Sequence, residues 1–258
     1  MTPRVSLPEA FLNRPIAHRA YHDVALGRPE NSLAAVRAAV AAGYGIEIDV
    51  QPSADGAARV DHDYDLRRLK GESGRVRGRS AAELGALRLL GTSEPIPTLA
   101  EVLAAVAGRV PVLIEIKDQD GDMGESVGAL EEAVAQTLHS YAGPVAVMSF
   151  NPNSVAAMAQ LAPGIPRGLT TSAYRDEDWP LLRAATRDWL RLIPDYDRTG
   201  ASFISHEAAD LSRARVSELK ATGAGVLCWT IRSPDAEAKA REVAHNITFE
   251  GYAAPIAA

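Results

Sequence analysis

The sequence predicts an α/β fold, specifically a TIM (β/α)8 barrel. Three observations support this: strand-like and helix-like runs alternate along the chain, the chain has 258 residues, and pairs of ionisable residues end several strand-like runs. Barrels of this type usually take about 250 residues as one domain. Alternation of this kind is typical of parallel strands joined by crossover helices. We therefore expect one domain over residues 1–258, with a small loop insertion after the third strand.

The strand-like runs number one more than a closed barrel of eight strands needs. The connection between the second and third runs contains the turn signal Asp55-Gly56 and is too short for a crossover helix. Either these two runs form a hairpin-like break, or the run at Ser202–Ser205 lies outside the barrel wall. The runs are Pro15–His18, Gly45–Val50, Arg59–His62, Val110–Lys117, Val145–Phe150, Arg167–Thr170, Ser202–Ser205, Gly225–Thr230 and Asn246–Phe249.

Composition limits the kinds of partner. The net charge of -6 and the pI of about 5.6 argue against nucleic acid but leave room for a small anionic substrate. The N-terminus has no apolar signal segment, and no stretch approaches the roughly 20 apolar residues of a membrane span. The single cysteine, Cys228, cannot form an intrachain disulfide, and we expect it to be a small buried hydrophobe. We expect a cytoplasmic protein, either a monomer or a small homo-oligomer.

Four acidic or basic side chains end two of the predicted strands. On a strand, residues i and i+2 share a face, so Glu47 and Asp49 point the same way, as do Glu115 and Lys117. Two adjacent carboxylates repel each other unless a cation lies between them. With Glu115, they predict a three-carboxylate site for a hard divalent cation. Lys117 offers a positive charge to a phosphate oxygen.

Two histidines are the last residues of predicted strands and precede polar loops. His18 and His62 are candidates for general acid and base, with metal ligation as a competing role. Arg19 can make a bidentate contact to a phosphate, or else a salt bridge at the rim with Asp23 or Glu30.

Trp229 ends a later strand, where we expect it to line the mouth of the barrel and bind the substrate; the alternative is a buried core aromatic. We expect the remaining histidines to be ordinary surface residues, with one exception at most. They are His22, His139, His206 and His245.

These motifs, in this order and spacing, resemble those of the glycerophosphodiester phosphodiesterase family. The match is most specific in the first half of the chain. One departure is Ala20, where the family usually has glycine after His-Arg, and which would be strained at a positive φ. Another is Glu250, where the family usually has aspartate. The matching stretches are Ala17–Arg19, Pro29–Ser32, Glu47–Val50, Val60–Asp63, Pro97–Leu103, Ile114–Lys117, Ser149–Phe150, Pro166–Leu169 and Trp229–Thr230.

The resemblance implies a TIM barrel that hydrolyses glycerophosphodiesters to glycerol 3-phosphate and an alcohol, within lipid and glycerol metabolism. It implies a Mg²⁺ or Ca²⁺ ion held by three carboxylates, a histidine acid–base pair and two cations on the phosphate. The metal ligands would be Glu47, Asp49 and Glu115; the acid–base pair, His18 and His62; and the phosphate-binding cations, Arg19 and Lys117.

Several alternatives use the same residues. A phosphodiesterase of the phospholipase D kind could act on lysophospholipids or sugar phosphodiesters. A metal-assisted aldolase or isomerase would need Lys117 as its electrophilic lysine, since one fold supports many reactions. A catalytically inactive protein could bind a phosphate ligand in the same pocket.

Overall fold

The computed structural model describes residues 4–256, and the first three and last two residues of the predicted domain lie outside them. Eight parallel strands close into a barrel because β1 pairs with both β9 and β2. The predicted TIM barrel is thereby confirmed. The strands are β1 (Ile16–Ala17), β2 (Gly45–Pro52), β3 (Ala58–Val60), β4 (Val112–Ile116), β5 (Val145–Ser149), β6 (Arg167–Thr171), β7 (Phe203–Glu207), β8 (Gly225–Ile231) and β9 (Asn246–Phe249).

The surplus strand is β3. It pairs antiparallel with the end of β2, with Val50 opposite Val60, and lies outside the ring. The short connection through Asp55-Gly56 therefore makes a hairpin, as the first of the two alternatives predicted. The second alternative is wrong, because β7 pairs in parallel with β6 and β8 as part of the wall.

The helices cover the outside of the barrel and several begin at predicted caps. Ser80 and Thr98 each form a complete capping box, and Gly43 ends its helix at φ +81°. The helices are α1 (Ala10–Asn13), α2 (Leu33–Ala42), α3 (Arg67–Lys70), α4 (Ala81–Ala86), α5 (Leu99–Val106), α6 (Ala129–Leu138), α7 (Pro152–Leu161), α8 (Ala184–Arg191), α9 (Ala214–Ala221) and α10 (Pro234–Ala240).

Side chains alternate between two cores along each strand of the ring. Outward-facing residues such as Ile48 and Ile114 pack against the helices. Inward-facing residues such as Leu113 and Phe203 fill the lower barrel, where Phe11 of α1 joins them. The apolar lower interior leaves the upper, carboxyl end of the barrel for polar side chains.

The predicted insertion after the third strand has more structure than a small loop. Residues 61–98 contain α3, α4 and a separate cluster of buried apolar side chains. A buried ion pair joins the insertion to the barrel, with Lys70 Nζ 2.5 Å from Asp61 Oδ2. This pair fixes the insertion beside His62. The clustered side chains are Leu66, Val76, Leu84, Leu89 and Ile96.

Within residues 4–256, no helix is both long enough and apolar enough to cross a membrane.

Candidate active site

The eight side chains singled out from the sequence all line one cavity of about 170 Å³ at the carboxyl end of the barrel. Seven of them lie in or just after a strand of the ring, near its carboxyl end, and parallel strands in a barrel end at a common mouth. The eighth, His62, follows the antiparallel strand β3, which runs back alongside the end of β2 and so returns the chain to Asp49. They are His18, Arg19, Glu47, Asp49, His62, Glu115, Lys117 and Trp229.

Three carboxylates form the centre of the cavity. Asp49 of β2 lies opposite Glu115 of β4 in register, and Glu47 shares the inward face of β2. Each of the three offers an oxygen within 4.8 Å of the others, and all three residues are buried. Buried oxygen ligands at this spacing are the donor set that Mg²⁺ and Ca²⁺ prefer, so the residues fit the implied metal.

Charge in the cluster is only partly balanced. Burial, followed by repulsion from Asp49 and Glu115, raises the pKa of Glu47 well above its usual range. Burial would also raise the pKa of Asp49, but Lys117, His62 and Arg19 hold it below its usual range. Within residues 4–256, Lys117 forms ion pairs with Asp49 and Glu115, and Arg19 forms one with Asp49, whereas Glu47 forms none.

Lys117 and Arg19 flank the carboxylates. Lys117 Nζ lies 2.8 Å from Asp49 Oδ1 and 2.5 Å from Glu115 Oε1. Arg19 Nε lies 3.8 Å from Asp49 Oδ2, and Arg19 also makes the salt bridge to Glu30 that the sequence allowed, at 2.8 Å. Both cations are therefore held at the cavity by acids that position them.

His62 belongs to a chain of ionic contacts around the rim. Its Nδ1 lies 3.0 Å from Asp63 Oδ1, and Arg68 of the insertion binds Asp63 at 2.7 Å. The same guanidinium donates to Glu30, the partner of Arg19. Burial opposes the shift, but the bonds from His62 and Arg68 hold the pKa of Asp63 well below its usual range.

His18 has a matching carboxylate partner in Glu250, which follows β9, with Nδ1 2.5 Å from Glu250 Oε2. A carboxylate accepts a hydrogen bond from a protonated Nδ1, which leaves Nε2 as the ring atom that can exchange a proton. The same reasoning applies to His62 and Asp63. Each histidine is therefore oriented as a general acid or base would need to be.

A second, wider cavity of about 770 Å³ adjoins the first. The two share His62, Glu115, Lys117, Phe150 and Trp229, so the wider cavity begins where the reactive groups lie. Trp229 lines both cavities, and its Nε1 donates to the carbonyl of Ser205 at 3.0 Å. It therefore lies at the mouth of the barrel, which is the first of the two positions predicted for it. Trp179 extends the aromatic wall.

The turn after β1 has the positive φ at Ala20 that would strain a residue other than glycine. Arg19 has φ +51° and Ala20 has φ +65°, where a Cβ costs about 1–2 kcal/mol. The turn directs the backbone N–H of Arg19 to Glu47 Oε2 at 2.8 Å. The strained turn therefore supplies a hydrogen bond that holds one carboxylate of the cluster.

Sequence reasoning assigned no role to several residues that the structure places at the site. Glu250 and Asp63 contact the two histidines, and the Asn31 side chain donates to Asp49 Oδ2 at 2.9 Å. Glu250 could have been found, because it directly follows a strand as His18 does. His206 is an exception among the histidines expected at the surface: it is fully buried on β7, with Nδ1 2.8 Å from the hydroxyl of Thr171.

Comparisons with known proteins agree with this geometry. The model of the glycerophosphoryl diester phosphodiesterase family matches residues 18–246. An Oleispira antarctica phosphodiesterase, solved with the product sn-glycerol-3-phosphate, is 26% identical with a TM-score of 0.74, over 93% of this chain and 94% of that one. A Thermotoga maritima glycerophosphodiester phosphodiesterase is 22% identical with a TM-score of 0.69, over 91% and 92%. A search of curated proteins finds no significant match.

Proposed function

This chain belongs to the glycerophosphoryl diester phosphodiesterase family, and we propose that it hydrolyses glycerophosphodiesters to glycerol 3-phosphate and an alcohol in a metal-dependent reaction. One observation carries the proposal: three carboxylates, two cations and two histidines line a single cavity. The Oleispira enzyme, solved with sn-glycerol-3-phosphate, supports the proposed product.

In this proposal Glu47, Asp49 and Glu115 hold Mg²⁺ or Ca²⁺. The bound ion would supply positive charge for a phosphoryl oxygen. Arg19 and Lys117 bind the remaining phosphate oxygens, which disperses the charge that builds up around phosphorus. Both cations are already held in place by Glu30 and by the carboxylate cluster.

His18 and His62 act as the acid–base pair. One histidine removes a proton from the nucleophile, and the other protonates the leaving alkoxide. The nucleophile is either water or the substrate's own glycerol hydroxyl. Phosphorus NMR during turnover separates these routes: the hydroxyl route gives a cyclic phosphate and fails on an analogue that lacks this hydroxyl, whereas the water route does neither.

Hydrolysis of glycerophosphocholine, followed by phosphorus NMR of the product, tests the proposed reaction. We expect glycerol 3-phosphate and choline. Release of phosphocholine, or no turnover by a folded sample loaded with Mg²⁺ or Ca²⁺, would contradict the proposal.

One alternative substrate deserves the same assay. The wider cavity has an apolar wall of Phe150, Trp179 and Met123, which favours a lysophospholipid as the second candidate. Turnover of lysophosphatidylcholine faster than of glycerophosphocholine would select it.

The carbonyl-chemistry alternative is disfavoured by the surroundings of Lys117. A Schiff-base lysine must lose its proton to become a nucleophile. Burial lowers the pKa of Lys117, but the negative charges of Asp49 and Glu115 outweigh burial and raise that pKa above its usual value. The ammonium form suits phosphate binding. Borohydride trapping of a carbonyl substrate on Lys117 would overturn this assignment.

We also propose a cytoplasmic location and a single domain over residues 1–258. The buried lone cysteine fits the first proposal, and closure of the ring by β9 against β1 fits the second. Cell fractionation tests the location, and one cooperative unfolding transition by calorimetry tests the domain. Light scattering would distinguish a monomer from a small homo-oligomer.

A further inference from the structure

Three buried hydroxyl groups form the wall of the small cavity that faces the carboxylates. Thr170 of β6, Ser205 of β7 and Thr248 of β9 each line this cavity and are at most 2% exposed. Thr170 and Ser205 are register partners on neighbouring strands. Their strand neighbours pack outward against the helices, so all three side chains point into the barrel.

None of the three hydroxyl oxygens has a hydrogen-bond partner among residues 4–256. Other buried hydroxyls on the same barrel are satisfied: Ser149 donates to the carbonyl of Ile116 at 2.6 Å, and Thr171 contacts His206. A buried polar group without a partner costs about 1–3 kcal/mol, which valine or alanine at these positions would avoid. Three such groups on one cavity wall therefore indicate a ligand.

This wall carries uncharged hydroxyl groups, whereas the side of the cavity with the carboxylates carries charged groups. A hydroxyl both donates and accepts a hydrogen bond and carries no charge, so it suits another hydroxyl rather than a phosphate. Lys117 and Arg19, which suit phosphate, follow β4 and β1. Arg232, which follows β8, also lines the cavity, but it pairs with Glu250 at 2.8 Å. The wall formed by Thr170, Ser205 and Thr248 is called here the hydroxyl wall.

The sizes of the two cavities agree with this division. The small cavity of about 170 Å³ contains the hydroxyl wall, whereas the wider one of about 770 Å³ is lined by aromatic and mixed side chains. A three-carbon polyol fits the small cavity, and the leaving alcohol then extends into the wider one. The reactive histidine His62 and Lys117 lie at the junction of both.

We propose that the hydroxyl wall binds the free hydroxyl groups of the glycerol moiety and so selects glycerol-containing diesters over other phosphodiesters. The inference rests on the proposed function and deepens it, because it assigns the residues that recognise the common part of the substrate. It also assigns the wider cavity to the variable alcohol.

The test uses the near-isosteric variants Thr170→Val, Ser205→Ala and Thr248→Val. For each, we expect the ratio of kcat/KM for glycerophosphocholine to that for bis(4-nitrophenyl) phosphate, which has no hydroxyl, to fall about 5-fold to 10-fold, as for one lost hydrogen bond. Melting temperatures should stay level or rise, because each change removes an unpartnered buried hydroxyl. A purely structural hydroxyl would leave the ratio unchanged.

Ser202→Ala is the matched control. Its hydroxyl is also buried and lacks a partner within the described residues, but it does not line the small cavity. The control should keep the wild-type ratio. A wild-type ratio in all three test variants would overturn the proposal.

Binding separates this inference from the proposed function. Titration calorimetry with sn-glycerol 3-phosphate should show weaker binding to each test variant than to the wild type and Ser202→Ala. If the wild type hydrolyses neither diester, the proposed function fails. The titration then still tests whether the hydroxyl wall binds the glycerol moiety. Equal affinity in every variant would refute it.

Discussion

Glu250 Oε2 lies 2.5 Å from Nδ1 of His18 and thereby connects the end of the last barrel strand to the end of the first. Arg232 donates to the other carboxylate oxygen at 2.8 Å, which fixes the Glu250 side chain in turn. Burial lowers the pKa of His18, and the bond to Glu250 partly opposes that shift. Glu250 therefore positions His18 and favours its protonated form.

Replacing Glu250 should alter both rate and pH dependence. In Glu250→Gln, His18 loses the anion that raises its pKa, so the limb of the kcat/KM profile that reports His18 should move to lower pH. This is the acid limb if His18 is the base and the basic limb if it is the acid. The plateau rate should fall at least about 10-fold, because the ring is less firmly oriented. Glu250→Asp keeps the negative charge, so its plateau rate should lie between those of the wild type and Glu250→Gln. If neither limb moves in Glu250→Gln, Glu250 does not set the pKa of His18.

Removing either histidine should nearly abolish turnover. We expect His18→Ala and His62→Ala each to lose at least about 10²-fold in kcat, the scale of a positioned acid or base. His139→Ala, on an exposed helix end, serves as the control and should retain its activity. Near-wild-type turnover by either site variant would exclude that histidine from the acid–base pair.

Glu47 should be required for metal binding. Calorimetric titration of Mg²⁺ or Ca²⁺ into Glu47→Gln should give a Kd at least about 10-fold higher than in the wild type. The exposed Glu125→Gln is the control. Since the pKa of Glu47 is raised, the metal competes with a proton there, and wild-type affinity should increase with pH. Equal affinity in Glu47→Gln would show that Glu47 is not a ligand.

Replacing one partner of the buried ion pair between Lys70 and Asp61 should lower the free energy of unfolding more than replacing both partners. Lys70→Met leaves Asp61 charged and buried, at an expected loss of about 3–5 kcal/mol in the free energy of unfolding. Adding Asp61→Asn keeps the acceptor for the N–H of Asp63 and should recover at least about 2 kcal/mol of that loss. Urea unfolding of both variants measures this. A double variant no more stable than Lys70→Met would contradict the account.

The barrel and the reactive cluster could be predicted because they depend on local patterns. Alternating runs indicated the strands, and i, i+2 spacing placed Glu47 beside Asp49. The rule that parallel strands end at one mouth then brought Lys117 towards His18, although they are far apart in sequence.

Other features depend on distant pairings that one sequence does not reveal. The direction of Thr170, Ser205 and Thr248 depends on strand register, and a shift of one residue would have turned each outward. The predicted strand-like run ends at Ser205, which placed His206 outside it. In the structure β7 continues to Glu207, and Asp210 lies 3.2 Å from the His206 ring. The pairing of Lys70 with Asp61 required the folded insertion.

Metal-dependent release of glycerol 3-phosphate tests the central claim most directly. The wild-type protein would be assayed on glycerophosphocholine and glycerophosphoethanolamine after EDTA treatment, and again after Mg²⁺ or Ca²⁺ is restored. We expect turnover that EDTA abolishes and one of these ions restores, with glycerol 3-phosphate as a product. Full activity in EDTA by a protein shown to be free of metal, or no activity with either ion, would contradict it.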